Sequence, residues 1–303
     1  MLESVLLRLE EMPGAGKILR DEPMARHTTF RVGGAADALF LADSEEAIMA
    51  AMALCREFDT PMTFIGRGSN LIVKDKGIRG LVISPGAGMA RIERVGEDIL
   101  EAGAGAALSA LSAEAARCGL SGLEFASGIP GSVGGGTAMN AGAYGGEMKD
   151  VLLDARVYMD GGVRTLSVDE MEMGYRTSLP LRLSAPVLSS RFRLKAGDSE
   201  AIFARMNELN QRRRDKQPVN LPSAGSVFKR PEGYFAGDLI ERAGLKGRRV
   251  GDAQVSEKHA GFIVNVGQAS AGDILNLIAL IQREVYEKFS VALETEVRVL
   301  GED

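Results

Sequence analysis

The chain is expected to fold as an α/β or α+β protein divided into two or three subdomains, and three observations carry that expectation. Its 303 residues exceed what a single hydrophobic core usually organises. Short runs rich in β-branched and apolar residues alternate with helical patterns between residues 28 and 84. The segment from Pro218 to Pro222 breaks the chain at a point where helical and strand patterns stop and later restart.

Taken in order, residues 1–20, opening on the amphipathic MLESVLLRLEEM, are expected as a helix broken at Pro13-Gly14, followed by a linker through Pro23. TTFRVGGAADALFLAD (28–43) predicts a strand entering and leaving a Gly33-Gly34 turn. Ser44 precedes Glu45 and Ala47, with Ile48, Met52 and Cys55 at helical spacing, so it predicts an N-cap. Short strands follow at 62–66, 71–75 and 81–84, the first two around GRGSN. Residues 91–103 suggest paired strands. Leu108, Leu111, Ala115 and Cys118 mark a helix closed by Gly119. Residues 151–167 predict a hairpin turning at Asp160-Gly161, followed by a strand at 187–195.

From Ser199 a helix carries Ile202, Met206 and Leu209 and ends in Arg212-Arg213-Arg214 before Lys216. Beyond the Pro break come a helix near 237–243 and a strand at 262–266. A long helix then sets Ile274, Leu277, Ile278, Ile281 and Val285 on one face. In the last strand, 293–300, alternation places Glu294, Glu296 and Arg298 opposite Leu293, Val297 and Val299.

One stretch departs from this ordinary pattern. Residues 122–147, GLEFASGIPGSVGGGTAMNAGAYGGE, contain nine glycines in 26 residues. Glycine loses more backbone entropy on folding than any other residue, so such a density needs a reason. A flexible linker would not interleave Leu123, Phe125, Ile129, Val133, Met139 and Tyr144. The stretch reads instead as a loop that turns repeatedly and brings bare N–H groups close to a bound group. GRGSN follows a strand directly but lacks the helix of a dinucleotide fingerprint, which leaves a tight hairpin or a phosphate contact. No GxxxxGK[ST] occurs, which excludes a P-loop NTPase.

Composition removes other classes. A net charge of −5, no Trp and few aromatics argue against nucleic-acid binding. Two cysteines, Cys55 and Cys118, lie in Ala-rich helical patterns that read as core, and the two histidines, His27 and His259, show no ligand spacing. Neither a disulfide scaffold nor a metal site is expected. No apolar run reaches membrane-span length and the N-terminus does not read as a signal peptide, so a cytoplasmic protein with no membrane partner is expected.

Single polar residues are ambiguous on their own. Arg176 in YRTS is of the type that binds a carboxylate or phosphate, or it is a surface arginine. Ser226 in AGSVF is an exposed hydroxyl in a small-residue turn or simply a turn serine. Glu296 lies on a charged strand face that can be solvent-exposed. The basic run ending at Lys216 suits the C-terminal dipole of any helix.

Their combination is more specific. TTFRVGGAAD, GRGSNLIVKDKGIRG, the glycine-rich stretch, GYRTS, PSAGSVFKRP, LIERAGLKG, VSEKHAGFIVN and LETEVRVLG occur in that order between Arg26 and Gly301. The chain therefore resembles the UDP-N-acetylenolpyruvoylglucosamine reductases, also called UDP-N-acetylmuramate dehydrogenases. The short path from YRTS to the strand at 187 resembles the family's shorter type, without the loop that brings a substrate-contacting Tyr.

The resemblance implies an α+β fold: a two-subdomain FAD-binding region of the vanillyl-alcohol-oxidase type plus a C-terminal α+β substrate domain. The expected boundaries are 1–80 for the first FAD subdomain and 81–215 for the second, completed by 292–303, with 216–291 as the substrate domain. It implies non-covalent FAD, NADPH as reductant, a UDP-sugar substrate, and no nucleic-acid partner; a monomer is expected. Electrons would pass from NADPH through FAD to an enolpyruvyl ether, giving UDP-N-acetylmuramate for peptidoglycan precursor synthesis. Other flavoenzymes of this fold, such as sugar or lactone oxidases, and a non-catalytic nucleotide-sugar-binding protein are the alternatives.

By the same resemblance the cofactor cradle comprises Gly66, Arg67, Gly68, Ser69, Asn70 and Leu71 with Ile129, Pro130, Gly131, Ser132, Asn140, Ala141, Gly142, Ala143 and Tyr144. Arg176 and Glu296 match the pair that stabilises enolate charge, and Ser226 matches the proton donor. Lys216 matches the lysine that meets the diphosphate, while Tyr175 and Lys229 are expected at the substrate.

Overall fold

The computed structural model describes residues 1–302. Asp303, the last residue of the expected segment 292–303, lies outside the described residues. Packing divides the chain into two units, the first made of 1–20, 38–67 and 80–212 and the second of 21–37, 68–79 and 213 onward.

In the first unit, α1 (Leu2–Glu10) buries Val5, Leu6 and Leu9. They share a core with Ile48, Met52 and Cys55 of α2 (Glu45–Glu57) and with Phe40, Leu81 and Ile83. Ser44 caps α2 as its sequence predicts, its hydroxyl accepting from the Ala47 amide at 3.1 Å. Burial pushes the Cys55 thiol up to about 11, so it stays a neutral core residue. Cys118, expected in the core, is half-buried and bonds Glu114 instead. The expected helix through residue 20 stops at Glu10, and the expected linker to Pro23 is no linker: Gly16–Pro23 is a strand at one end of a four-stranded sheet. It was hidden because an edge strand that is mostly exposed shows no apolar alternation. TTFRVGG supplies a turn rather than a strand, and the ladder begins at Ala35–Ala42.

The same unit holds a five-stranded antiparallel sheet, ordered Gly162–Ser167, Leu152–Met159, Val187–Arg193, Ile99–Gly103 and Ile92–Arg94. The first pair is the predicted hairpin, turning at Asp160 and Gly161 with φ of 54° and 80°. α3 (Leu108–Arg117) packs its Leu108, Leu111 and Ala115 into the core on this sheet and stops at Gly119.

Within the glycine-rich stretch the expected loop contains a short helix, α4 (Val133–Ala138, sequence VGGGTA), capped by Ser132. Propensity opposes a helix here, and packing wins. A Cβ on Gly134 would sit 2.7 Å from that of Ala104, and one on Gly136 would sit 2.9 Å from Leu108 Cδ1. The glycines let a helix backbone lie where side chains would not fit. After α5 (Leu179–Arg182) and the strand Val187–Arg193, α6 (Ser199–Lys216) buries Ile202, Met206 and Leu209 as predicted.

The second unit is built on α7 (Ala236–Arg242), α8 (Ala271–Phe289) and the antiparallel strands Arg249–Val250, Ala253–Val255 and Ile263–Asn265. All five apolar residues predicted on one face of α8 are buried. The chain passes between the units at 79/80 and 212/213, close to the expected boundaries at 80 and 216, while 21–37 and 68–79 group with the second unit. Phe30, Val32 and Ile72 are members of its core, which is why 21–37 and 68–79 group with it. The final ladder is short: Arg298–Leu300 pairs in parallel with Leu71–Val73, whereas the family resemblance implies that 292–303 completes the 81–215 subdomain. Residues 293–297 are held by an isolated bridge, Phe228 with Thr295, and Val299, expected inward, is 39% exposed. No helix among the described residues is long and apolar enough to cross a membrane.

Candidate active site

Two of the predicted cofactor segments meet in the first unit. A Cβ on Gly66 would lie 2.6 Å from Ser132 Oγ, so the GRGSN turn and the IPGSV turn can approach this closely only because residue 66 is glycine. The second turn is fixed by backbone bonds from Leu108 N to Gly131 O (3.0 Å) and from Val133 N to Ala106 O (2.8 Å). Ser132 Oγ accepts from Gly135 N at 3.4 Å.

The loop after α4 turns through two left-handed residues, Asn140 (φ 47°) and Tyr144 (φ 54°). Gly142–Ala143 pairs with Gly146–Glu147, and Tyr144 sits at the hairpin tip with the Arg212 guanidinium 5.3 Å from its ring. Asn140 is fully buried. Its Nδ2 donates to Glu147 Oε2 at 2.8 Å and to Gly174 O at 3.0 Å, while Oδ1 accepts from Lys149 N at 3.0 Å.

Arg176 stands in the tight turn that follows, closed by reciprocal bonds between Gly174 and Thr177. Its own φ is +56°, a left-handed conformation that costs a side-chain-bearing residue about 1–3 kcal/mol. The guanidinium donates to Gly142 O at 3.3 Å and lies 5.2 Å from the Tyr175 ring. Ser178, completely buried, ties the turn to the end of α4 by donating to Ala138 O at 2.6 Å. The structure thus brings Arg176, Tyr175, Asn140 and Gly142 together.

In the second unit a different set converges. Ser226 forms an isolated bridge with Phe262, and the Val227 amide donates to Gly261 O at 2.9 Å. Glu296 N donates to Val227 O at 2.7 Å, and Asn70 Nδ2 donates to Glu296 O at 3.0 Å. Residues far apart in sequence, Asn70, Ser226 and Glu296, are therefore pinned to one small patch, Ser226 and Glu296 by backbone bonds and Asn70 through its side chain. The Ser226 hydroxyl donates to Phe228 O at 3.1 Å and would have to turn away to give its proton elsewhere. Lys229 Nζ rests on Glu294 Oε2 at 3.1 Å. Lys216 ends α6 with its side chain exposed.

Sequence reasoning missed Thr29. Its amide donates to Gly68 O at 3.2 Å, and its buried Oγ1 has no hydrogen-bond partner among the described residues. A buried hydroxyl left unsatisfied is costly unless a ligand completes it. The only signal was its place in TTF, and a lone threonine carries none. An orphaned donor beside the GRGSN turn and a Gly66 cradle that a Cβ would fill both fit a phosphate-bearing cofactor.

Comparison with known proteins gives the class first. Residues 36–167 match the FAD binding domain family, and residues 217–300 match the C-terminal domain of UDP-N-acetylenolpyruvoylglucosamine reductase. An alkyldihydroxyacetonephosphate synthase, 16% identical, shares the fold alone at a TM-score of 0.50 over 65% of this chain and 41% of its own. The fold is thus that of an FAD-binding protein.

The particular family follows from closer relatives. UDP-N-acetylenolpyruvoylglucosamine reductase of Agathobacter rectalis is 53% identical over 97% of this chain and 96% of its own. That of Alkaliphilus oremlandii is 51% identical over 94% of each. The crystal structure of the Thermus caldophilus enzyme superposes at a TM-score of 0.80 with 40% identity, covering 93% of this chain and 98% of that one. The chain belongs to the UDP-N-acetylenolpyruvoylglucosamine reductase family.

Proposed function

We infer that the protein is an FAD-dependent oxidoreductase that uses NADPH to reduce the enolpyruvyl ether of UDP-N-acetylglucosamine to the lactyl ether of UDP-N-acetylmuramate. The reaction serves peptidoglycan precursor synthesis. One observation carries this reading: a near-full-length relative at 53% identity, in a chain that joins an FAD binding domain match to the reductase C-terminal domain.

FAD would be held by the GRGSN turn and Leu71 together with 129–132 and 140–144, with the Thr29 hydroxyl as a further donor. When bound, it supplies the two-electron relay between NADPH and the ether. The protein's own groups manage charge and protons. Hydride addition at the terminal enolpyruvyl carbon throws negative charge onto the substrate carboxylate, and Arg176 is the cation that holds it. Glu296, as its protonated acid, donates a hydrogen bond to the same carboxylate. Ser226 Oγ gives the proton that completes the adjacent carbon, so one hydride and one proton are added across the double bond. Lys216 faces the diphosphate as a point charge. Tyr175 and Lys229 contact substrate, Lys229 after leaving Glu294, an exposed pair worth only about 0–1 kcal/mol. The protein acts as a cytoplasmic monomer, apart from membranes.

The test is direct. The purified protein should be yellow, release its flavin on acid precipitation, bleach anaerobically with NADPH, and recolour when the enolpyruvyl UDP-sugar is added. Bleaching without recolouring would reject the substrate. A colourless protein that cannot be loaded with FAD would reject the class.

A further inference from the structure

We propose that Asn140 is a positioning residue for Arg176, the buried bolt that fixes the arginine-bearing turn to the glycine-rich loop. The proposal rests on the reading of Arg176 as the group that holds substrate charge. Every hydrogen-bonding position that Asn140 directs at the protein is used, to Glu147 Oε2, to Gly174 O and from Lys149 N. The amide orientation is dictated by its neighbours: two acceptors face one end and an N–H faces the other, so a flipped amide would satisfy none of them. Asparagine also suits the left-handed backbone at φ 47° better than most residues.

Gly174 is the first residue of the turn closed on Thr177, so its carbonyl is the handle by which Asn140 grips that turn. Two residues on, Arg176 has φ +56°, which a free turn would relax. Glu147 is itself braced, its Oε1 on Lys149 Nζ at 2.6 Å and its backbone N–H on Asp150 Oδ2 at 2.9 Å. The chain of contacts thus runs from a braced carboxylate through a fully buried amide to the backbone carrying the guanidinium. The Asn140 side chain is spent on protein partners, and its effect on substrate passes through Arg176.

The experiment follows recolouring of the NADPH-reduced holoenzyme by the enolpyruvyl UDP-sugar in N140A, N140D, R176A and the N140A/R176A and N140D/R176A double variants. FAD content and melting temperature are measured for each. N140A should recolour roughly ten- to a hundredfold more slowly, as a misplaced catalytic group does. In the R176A background the same change should add almost nothing. N140D keeps the acceptor for Lys149 but sets a carboxylate against Glu147, whose charge raises the new group's pKa. Its recolouring rate relative to wild type should therefore recover as pH falls, because one proton relieves the repulsion and restores a donor. N140A, with no group to titrate there, should show no such recovery, and in an R176A background the N140D recovery should disappear as well, which a merely structural defect would not do.

If N140A does not fold, the pH response of N140D compared with that of N140D/R176A decides the matter. Slowing in N140A that multiplies fully with that of R176A, or a pH-independent ratio in N140D, would overturn the positioning role while leaving Arg176 in place. Normal recolouring in R176A would instead remove the reading on which the proposal stands.

Discussion

The two regions that carry the proposed chemistry are built in opposite ways. Arg176 stands on irregular backbone, with left-handed residues at 140, 144 and 176, held by the side chains of Asn140, Glu147 and Ser178. Ser226 and Glu296 stand on strand-like backbone held chiefly by main-chain bonds through Val227, Gly261 and Phe262, with one side chain, Asn70, added at the Glu296 carbonyl. Side-chain scaffolds fail when one partner is removed, because buried groups are left unsatisfied. Backbone scaffolds do not notice what a side chain does. Damage to chemistry and damage to structure should thus be inseparable around Arg176 and cleanly separable around Ser226.

The largest expected effect sharpens that contrast. Ser226→Ala removes a hydroxyl whose protein partner is a neighbouring carbonyl, so the fold should be indifferent. Loss of a general acid typically costs about 10²–10⁴-fold. Stopped-flow absorbance should show near-normal bleaching by NADPH and recolouring slowed by at least about a hundredfold, with the melting temperature unmoved. Ser226→Cys should recover part of the rate, since a thiol is the stronger acid. Equal slowing of both halves, or a fall in melting temperature, would break the claim that this region tolerates side-chain loss.

Next in size is Lys216→Ala. Its exposed side chain at the end of α6 contributes a charge and no packing. Losing one charged contact to a diphosphate, at about 1.5–3 kcal/mol, weakens apparent affinity for the UDP-sugar roughly ten- to a hundredfold. Flavin reduction by NADPH should suffer far less. An unchanged Michaelis constant for the UDP-sugar would remove Lys216 from the site.

How much of this was legible in the sequence follows from the same contrast. The Ser44 cap, the Asp160-Gly161 hairpin and the apolar face of α8 were readable because local periodicity and turn chemistry determine them. The strand Gly16–Pro23 and helix α4 were not. One is an edge with little buried face, and the other is a poor helix sequence accepted because its glycines fit against Ala104 and Leu108. Single residues of the site carried no local signal, because a turn serine or a strand glutamate is commonplace. They became readable only through the ordered set of motifs. The grip of Asn140 on Gly174 stayed hidden for a different reason: it spans 34 residues and depends on both backbones being left-handed nearby.

A smaller effect tests the glycine-packed helix. Gly134→Ala should gain about 1 kcal/mol of helix propensity. Against that stands a methyl built 2.7 Å from Ala104 Cβ and 3.1 Å from Val187 O, and overpacking of this kind costs about 1–3 kcal/mol. The net change should be destabilising, by up to about 2 kcal/mol. Chemical denaturation would report it as a lower midpoint at unchanged slope. A higher midpoint would mean that the helix can shift away from the sheet, and that the rigidity attributed to this region is absent.

The smallest expected effect lies in the other region and depends on pH. His259 belongs to the loop that presents Gly261 to Val227, and its Nδ1 accepts from the Gly261 amide at 3.1 Å. Its ring packs edge-on to Phe262, with centroids 4.9 Å apart. Burial holds the imidazole below its ordinary value of 6.5, with a further lowering from Lys246 that Glu241 opposes. A histidine depressed in the folded state binds its proton more readily when unfolded, so folding favours the neutral ring. The stability this contributes is fully present above about pH 6.5 and is lost as pH falls below it toward the folded-state value. Denaturation midpoints should therefore decline from neutral pH to about pH 5 more steeply in wild type than in His259→Gln, which cannot titrate there. Because the strand carrying Ser226 is held by the Gly261 carbonyl and not by the imidazole, recolouring at pH 7.5, about one unit above the ordinary histidine value, should change little in the variant. Parallel pH profiles for the two proteins would show that His259 is not a buried neutral ring, and a large loss of recolouring would show that the strand carrying Ser226 depends on the His259 side chain after all.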